Sequence, residues 1–198
     1  MTREIVIASK NQGKIREIRQ IYADLPVRVV EAADLPDVVE DGDSFSANAR
    51  KKAVEIARHT RKWALADDSG LEVDALRGAP GIHSARWSGG GDEANNDKLL
   101  RELRDVPPPA RTARYRAVVV VADPEGRIVA EADGSCEGLI GLERKGTGGF
   151  GYDPLFVVPQ FGCTMAQLTA EAKHAISHRG EALRRLRGPL TEALGPVR

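Results

Sequence analysis

The sequence predicts an α/β fold, and three observations carry that prediction. Short apolar runs of strand character, Glu4 to Ala8, Pro26 to Glu31 and Trp63 to Ala66, alternate with longer segments whose apolar residues recur at helical spacing. The third run ends in two adjacent carboxylates, Asp67 and Asp68, and open α/β sheets bind ligands at the carboxyl ends of their strands. Beyond Pro107-Pro108-Pro109, two apolar runs flank Asp123-Pro124-Glu125-Gly126, which reads as a long hairpin with a central, doubly buried first strand.

Composition narrows the classes. A chain of 198 residues suits one domain with a sizeable core and room for two lobes. Its 29 Lys and Arg balance 29 Asp and Glu, so no overall field draws in a nucleic-acid polymer or a membrane surface, and any phosphate binding is local. The longest apolar stretches fall short of the roughly 20 residues a membrane span needs, and Met1 to Glu4 leads into a strand, not a signal-peptide core, so a cytoplasmic location is expected. Cys136 and Cys163 lie in separate segments without metal-ligand spacing and read as buried or incidental thiols.

In chain order, the first strand, Glu4 to Ala8, runs into Ser9-Lys10-Asn11-Gln12-Gly13-Lys14 and then a helix on which Ile15, Ile18 and Tyr22 share a face, with Leu25 near its margin. Free amides at that helix N-terminus and the Lys14 charge suit an anion; an ordinary strand-to-helix loop is the other reading. The loop is not a Walker A motif, because Ala8 and Ile15 stand where Gly and Ser or Thr are required. Leu35 to Asp43 is an acidic connection. Ser44 or Asp43 caps a helix running to about Arg61, whose stripe Phe45, Ala49, Ala53, Ile56 includes Lys52 and borders Asn48. An inward lysine either snorkels to the rim or meets an anion, because an unpaired buried ammonium is costly.

Asp67-Asp68-Ser69-Gly70 reads as a turn after the Trp63–Ala66 strand, or as a cation site; alternation along a strand would send the two acids to opposite faces, so one leads in any chemistry and the other supports it. A short strand, Leu71 to Val73, precedes a Gly/Pro-punctuated loop, 78–87, held close to the sheet. Trp87 with Gly89-Gly90-Gly91 is a linker, or a lid, and Asp92 caps a helix carrying Leu99, Leu100 and Leu103. Four glycines around Phe150 and Tyr152 in Gly146 to Pro154 would let the backbone approach a flat ligand, with an aromatic ring stacking on it and backbone amides reading its edge; a plain loop is the alternative. Met165 to Ala172 forms a short helix, followed by Lys173. Ser177 caps a last helix that buries Leu183, Leu186, Leu190 and Leu194 and kinks or breaks at Gly188-Pro189. His178 and Arg179 in its first turn oppose the helix dipole, so an anion compensates them or His178 only satisfies a local bond.

Together these stretches resemble the inosine/xanthosine triphosphate pyrophosphatase family. The likeness rests on Ser9-x-Asn11-x-x-Lys14-x-x-Glu17, Glu40-x-Gly42-x-Ser44-Phe45 with Asn48, Ala49 and Lys52, and Ala66 to Leu71. It continues through Gly78-Ala79-Pro80-Gly81, Ser84 to Ser88, Gly148 to Pro154, Lys173, and Ser177-His178-Arg179-Gly180, in order across nearly the whole chain. Lys10, Cys163 and Ala172 depart from residues common in the family, which often has Gly, Lys and Glu there.

The resemblance implies an elongated α/β fold around a long mixed β-sheet with flanking helices, two lobes with a substrate cleft between them, and a homodimer. The whole of 1–198 would be one nucleoside triphosphate pyrophosphatase domain, its second lobe roughly 107–155 and its last helix returning to the first. It implies Mg²⁺-dependent hydrolysis of ITP, dITP and XTP to the monophosphate and pyrophosphate, which keeps these bases out of DNA and RNA. Ser9, Lys10, Asn11, Gln12, Gly13 and Lys14, with Lys52, would hold the triphosphate. Glu40 and Asp68 would bind Mg²⁺; Asp68 would accept the proton of the attacking water with Asp67 in support, and Ser69 would touch substrate. Phe150, Gly151, Tyr152, Asp153, Lys173, His178 and Arg179 would form the base pocket and its rim. Buried donors aimed at the 6-oxo group would reject ATP. Two rivals are a related pyrophosphatase for other modified nucleotides, pyrimidines included, and a non-catalytic purine-nucleotide sensor; the retained acids and Lys52 weigh against the sensor.

Overall fold

A computed structural model describes residues 3–23, 27–31 and 35–195. Among the described residues seven strands form one mixed sheet: β1 (Arg3–Ile7), β2 (Val27–Val30), β3 (Trp63–Val73), β4 (Thr112–Ala122), β5 (Ile128–Ile140), β6 (Phe156–Val158) and β7 (Cys163–Thr164), in the order β2-β1-β3-β4-β5-β6-β7. β1 pairs in parallel with β2 and β3, whereas β6 is antiparallel to β5 and β7. The helices are α1 (Gln12–Ile21), α2 (Phe45–Thr60), α3 (Gly91–Glu102), α4 (Ala170–Ile176) and α5 (His178–Leu194). The α/β class holds. Leu25 and Pro26, at the margins of the predicted first helix and second strand, lie outside the described residues.

The chain divides into two compact units, and β3, β4 and β5 contribute residues to both. The first unit comprises 1–68, 117–134 and 179–198. Its core joins Ile5 and Ile7 of β1, Ile15 and Ile18 of α1, Leu65, alternate valines of β4, and Leu183, Leu186 and Leu190 of α5. The second comprises 69–116 and 135–178, and its core joins Leu71, Val73, Leu99, Leu103, Tyr115, Tyr152, Leu155 and Phe156.

The apolar stripes behave as their spacing requires. Phe45, Ala49, Ala53 and Ile56 are buried along α2, Ser44 caps it by accepting from Ala47 N at 3.2 Å, and Arg61 ends it in the left-handed conformation. Tyr22 closes α1 and donates its hydroxyl to Leu183 O at 3.1 Å.

Several boundaries differ from expectation. The Asp67-Asp68-Ser69-Gly70 segment is not a turn: β3 runs unbroken from Trp63 to Val73. The reason lies in its neighbours. β1 pairs with β3 only as far as Leu65, with Ala8 N donating to Leu65 O at 2.8 Å, and further along Ser84 Oγ accepts from Leu71 N at 2.8 Å and Ala79 O from Val73 N at 3.2 Å. The loop therefore covers the side of β3 that β1 leaves, with β4 as the strand's other neighbour, and the acids lie just past the carboxyl end of β1 instead of the end of β3. That loop coils into two short 3₁₀ turns, Asp74–Leu76 and Gly81–Arg86. The second strand of the hairpin, β5, is long, reaching Ile140, and α3 starts at Gly91 with Gly90 as its N-cap, so Asp92 lies in the first turn. The expected 165–172 helix is a 3₁₀ turn, Met165–Gln167, then α4 with Thr169 as its cap. α5 continues through Pro189, because Leu183 and Leu186 before it and Leu190 and Leu194 after it are buried in the same core. That shared burial outweighs one lost backbone hydrogen bond.

Candidate active site

In the first unit, Asn11 caps α1, accepting from Lys14 N at 3.0 Å, while Ser9 Oγ accepts from Asn11 N at 3.1 Å. The loop is thus pinned by its own polar side chains. The first-turn amides of Gln12 and Gly13 have no acceptor one turn back, as at any helix start. Lys10 is exposed and reaches Asp37 at 2.5 Å instead of the loop's interior. Lys14 Nζ lies 2.6 Å from Asp67 Oδ1.

Alternation along β3 sends the two acids to different partners. Asp67 receives Lys14 and the guanidinium of Arg179, whose Nε and Nη2 stand 3.2 and 3.3 Å from its two oxygens, while Arg179 Nη1 pairs with Glu17 Oε2 of α1. Arg179 is only 2% exposed. Burial works against Asp67 ionising, but Arg179 and Lys14 overcome it and hold the carboxyl far below the usual range. Burial lowers the Lys14 ammonium, against the pull of Asp67.

Asp68 meets Lys52. Lys52 Nζ lies 2.7 Å from Glu40 Oε1, 3.3 Å from Asp68 Oδ1 and 2.8 Å from the carbonyl of Asp67, so the inward lysine found anions. Burial would depress Lys52, but Asp68 and Glu40 raise it on balance. Asp68 itself is pushed up, chiefly by burial, with Glu40 and Asp67 adding to the rise and Lys52 and Lys14 opposing it. Its Oδ2 is buried and has no hydrogen-bond partner among the described residues. Two adjacent carboxyls driven in opposite directions are the pattern of a permanently charged anchor beside a group able to take a proton.

Asn48, fully buried on α2, accepts from Gly42 N at 2.9 Å and so ties the segment carrying Glu40 to the helix. Among the described residues no group of three or more His, Cys, Asp or Glu could hold a metal alone. Glu40 Oε1 and Asp68 Oδ1, converging on one Nζ, suit a hard cation that keeps waters and substrate phosphates as its remaining ligands.

In the second unit, Asp153 organises the glycine-rich stretch. Its Oδ2 accepts from Phe150 N at 3.0 Å and from Lys173 Nζ at 2.5 Å, and its Oδ1 from the Tyr115 hydroxyl at 3.2 Å. Lys173 also stands 5.0 Å from the Phe150 ring centroid. Tyr115, which the motifs did not single out, stacks on His178 with ring centroids 4.7 Å apart. Tyr152 is not a stacking platform: it is buried, donates to Ser84 O at 2.8 Å, and burial pushes its phenol up. The amides of Phe150, Gly151 and Asp153 are bonded to Asp153 Oδ2, Asp92 Oδ2 and Phe150 O, so they are not the expected free readers of a base edge. Half-buried Phe150 is left as the aromatic face. Ser69 is half-buried on β3. Arg179, expected at the base pocket's rim, directs its guanidinium to Asp67 and Glu17.

Gly149 is sterically required. Its φ is +73°, and an added Cβ would stand 1.9 Å from Asp153 Oδ2. Gly149→Ala is expected to cost about 1–3 kcal/mol through backbone strain and displacement of Asp153. Thermal unfolding and KM measure it, and an unchanged Tm with unchanged KM would contradict the role given to Asp153.

Residues 5–188 match the Ham1 family model. The dITP/XTP pyrophosphatase of Desulforamulus reducens is 51% identical over 187 residues, covering 92% of this chain and 92% of that protein. That of Geobacter sulfurreducens is 51% identical over 195 residues, covering 96% and 97%. Among solved structures, a HAM1 protein from Coxiella burnetii aligns with a TM-score of 0.86 at 39% identity, over 96% of this chain and 99% of that one. The Staphylococcus aureus Ham1 protein aligns with 0.82 at 42%, over 95% and 98%.

Proposed function

The chain belongs to the Ham1 family, and from that premise we propose that it hydrolyses dITP, XTP and ITP to the nucleoside monophosphate and pyrophosphate. The observation that carries the reading is the split acid pair: Asp67 locked between Lys14 and Arg179, Asp68 raised and holding an oxygen with no partner among the described residues. A sensor that only binds nucleotide has no use for such a group.

Asp68 Oδ2 takes a proton from the attacking water as its oxygen forms the new bond to phosphorus, and pyrophosphate departs with the electrons of the broken phosphoanhydride. Lys52 keeps Asp68 and Glu40 in place and offsets their charge as the anionic substrate approaches. Asp67 fixes Lys14 beside the Ser9–Lys14 loop, which holds the phosphate chain through Ser9, Asn11, the Gln12 and Gly13 amides and Lys14. Mg²⁺ belongs to this reading: held by Glu40 and Asp68, it would neutralise charge on the phosphate oxygens. Phe150, with Lys173 and Asp153 behind it, takes the base, and Tyr115 and His178 support that pocket. The reading also includes a homodimer and a cytoplasmic location; no helix among the described residues is long and apolar enough to cross a membrane.

The test is kcat/KM with Mg²⁺ for dITP, XTP and ITP against dATP, dGTP and dTTP. Preference for the first three is expected; equal use of all six, or preference for dTTP, would favour the related-pyrophosphatase alternative. Lys52→Met is expected to lower kcat/KM for dITP by roughly 10²-fold, the scale of removing one preorganised charged donor. Activity within threefold of wild type would remove Lys52 from the site.

A further inference from the structure

Both backbone polar groups of Gly151 are bonded to a single helix. On α3, Asp92 Oδ2 accepts from Gly151 N at 2.7 Å, and Asn96 Nδ2 donates to Gly151 O at 2.9 Å. The two side chains are one turn apart, so they share a face. Asn96 Nδ2 also donates to Asp92 O at 3.0 Å, which fixes the amide plane, and Asn96 is only 1% exposed. Asp92 lies in the first turn of α3, where the helix dipole favours its negative charge.

Gly151 sits in the left-handed region, φ +62°, between Phe150 and Asp153. The adjacent Phe150 amide is held by Asp153, and Asp153 by Lys173. Internal bonds thus set the loop's shape, whereas the α3 clamp sets where its Gly151 corner stands within the second unit. Phe150, next in the chain, cannot keep its ring in place if that corner moves.

We propose that Asp92 and Asn96 are positioning residues for base discrimination, acting through Gly151 on the Phe150–Asp153 loop. This rests on the reading that the loop takes the base. The contacts that Asp92 and Asn96 make are with Gly151 and with α3 itself, so their loss is expected to weaken recognition of the base and to leave the chemical step alone.

The experiment compares wild type with Asn96→Ala and Asp92→Ala, measuring kcat and KM for dITP and dATP, with thermal unfolding alongside. Asp92 is exposed, so its variant folds even if the buried Asn96 change does not. Each variant is expected to raise KM for dITP about tenfold, the scale of one hydrogen bond of positioning, and to shrink the dITP-to-dATP preference by a similar factor, with kcat within twofold. Loss of kcat for both nucleotides in proportion, with the preference intact, would mean a purely structural role and would overturn the proposal. So would an unchanged KM and preference in the folded variants. If wild type itself shows no preference for dITP over dATP, the assignment of the loop to the base fails, which is a different result from retained preference in the variants.

Discussion

Asp68→Asn is expected to lower turnover of dITP by roughly 10²- to 10⁴-fold, the range a positioned general base supplies, with nucleotide binding at least partly retained. The substitution keeps shape and removes the proton acceptor. It also removes a buried negative charge whose pKa burial has raised. A carboxyl raised in the folded state weakens folding above that pKa, and the penalty disappears as pH falls through it. In metal-free buffer at neutral pH the Asn variant should therefore melt at or above the wild-type temperature, because Lys52 keeps Glu40 and the Asp67 carbonyl. A dead enzyme with undiminished stability is the signature of a residue kept for function. Unchanged turnover would remove Asp68 from the mechanism.

Arg179→Met should have the largest effect on stability. It takes the guanidinium away from buried Glu17 and Asp67, and breaking a buried ion pair on one side costs about 3–5 kcal/mol. For a chain of this size that is a Tm lower by roughly 6–20 °C. The pH dependence has a definite sign. In wild type the Asp67 pKa is depressed, so its contribution is present above the unfolded-state value and is lost only as pH falls through the folded one. Without Arg179 the carboxyl loses its largest lowering charge and rises from that depressed value. The deficit of the variant, followed by thermal unfolding in metal-free buffer, should then shrink as pH falls from neutral into the acid range. A Tm within 2 °C of wild type across that range would contradict the account of Asp67 as a charge-locked anchor.

Much of this arrangement was legible in the sequence wherever local periodicity or chain proximity decided it. The α2 stripe placed Lys52 inward, and the strand-loop-helix pattern at Glu4 to Lys14 placed the candidate phosphate loop. Alternation anticipated opposite roles for Asp67 and Asp68. Ser69-Gly70 signals a turn in isolation, but it lies inside a strand whose sheet neighbours, β1 and β4, come from distant parts of the chain. Pro189 misled for the same reason: tertiary burial on both sides of it outweighed its local preference. The partners of Arg179 lie 112 and 162 residues away, beyond any periodic signal, so the compensating anions were anticipated without being identified. Tyr115 and Asn96 carry no motif and Asp92 reads only as a helix cap, so their contacts alone mark their roles.

The most direct test of the central reading is the product of dITP hydrolysis by the wild-type protein with Mg²⁺, with pyrophosphate and orthophosphate assayed in the same reaction. Pyrophosphate and dIMP in equal amounts, without orthophosphate, is the predicted result. Orthophosphate with dIDP would mean cleavage at the terminal phosphate and would contradict the proposed reaction.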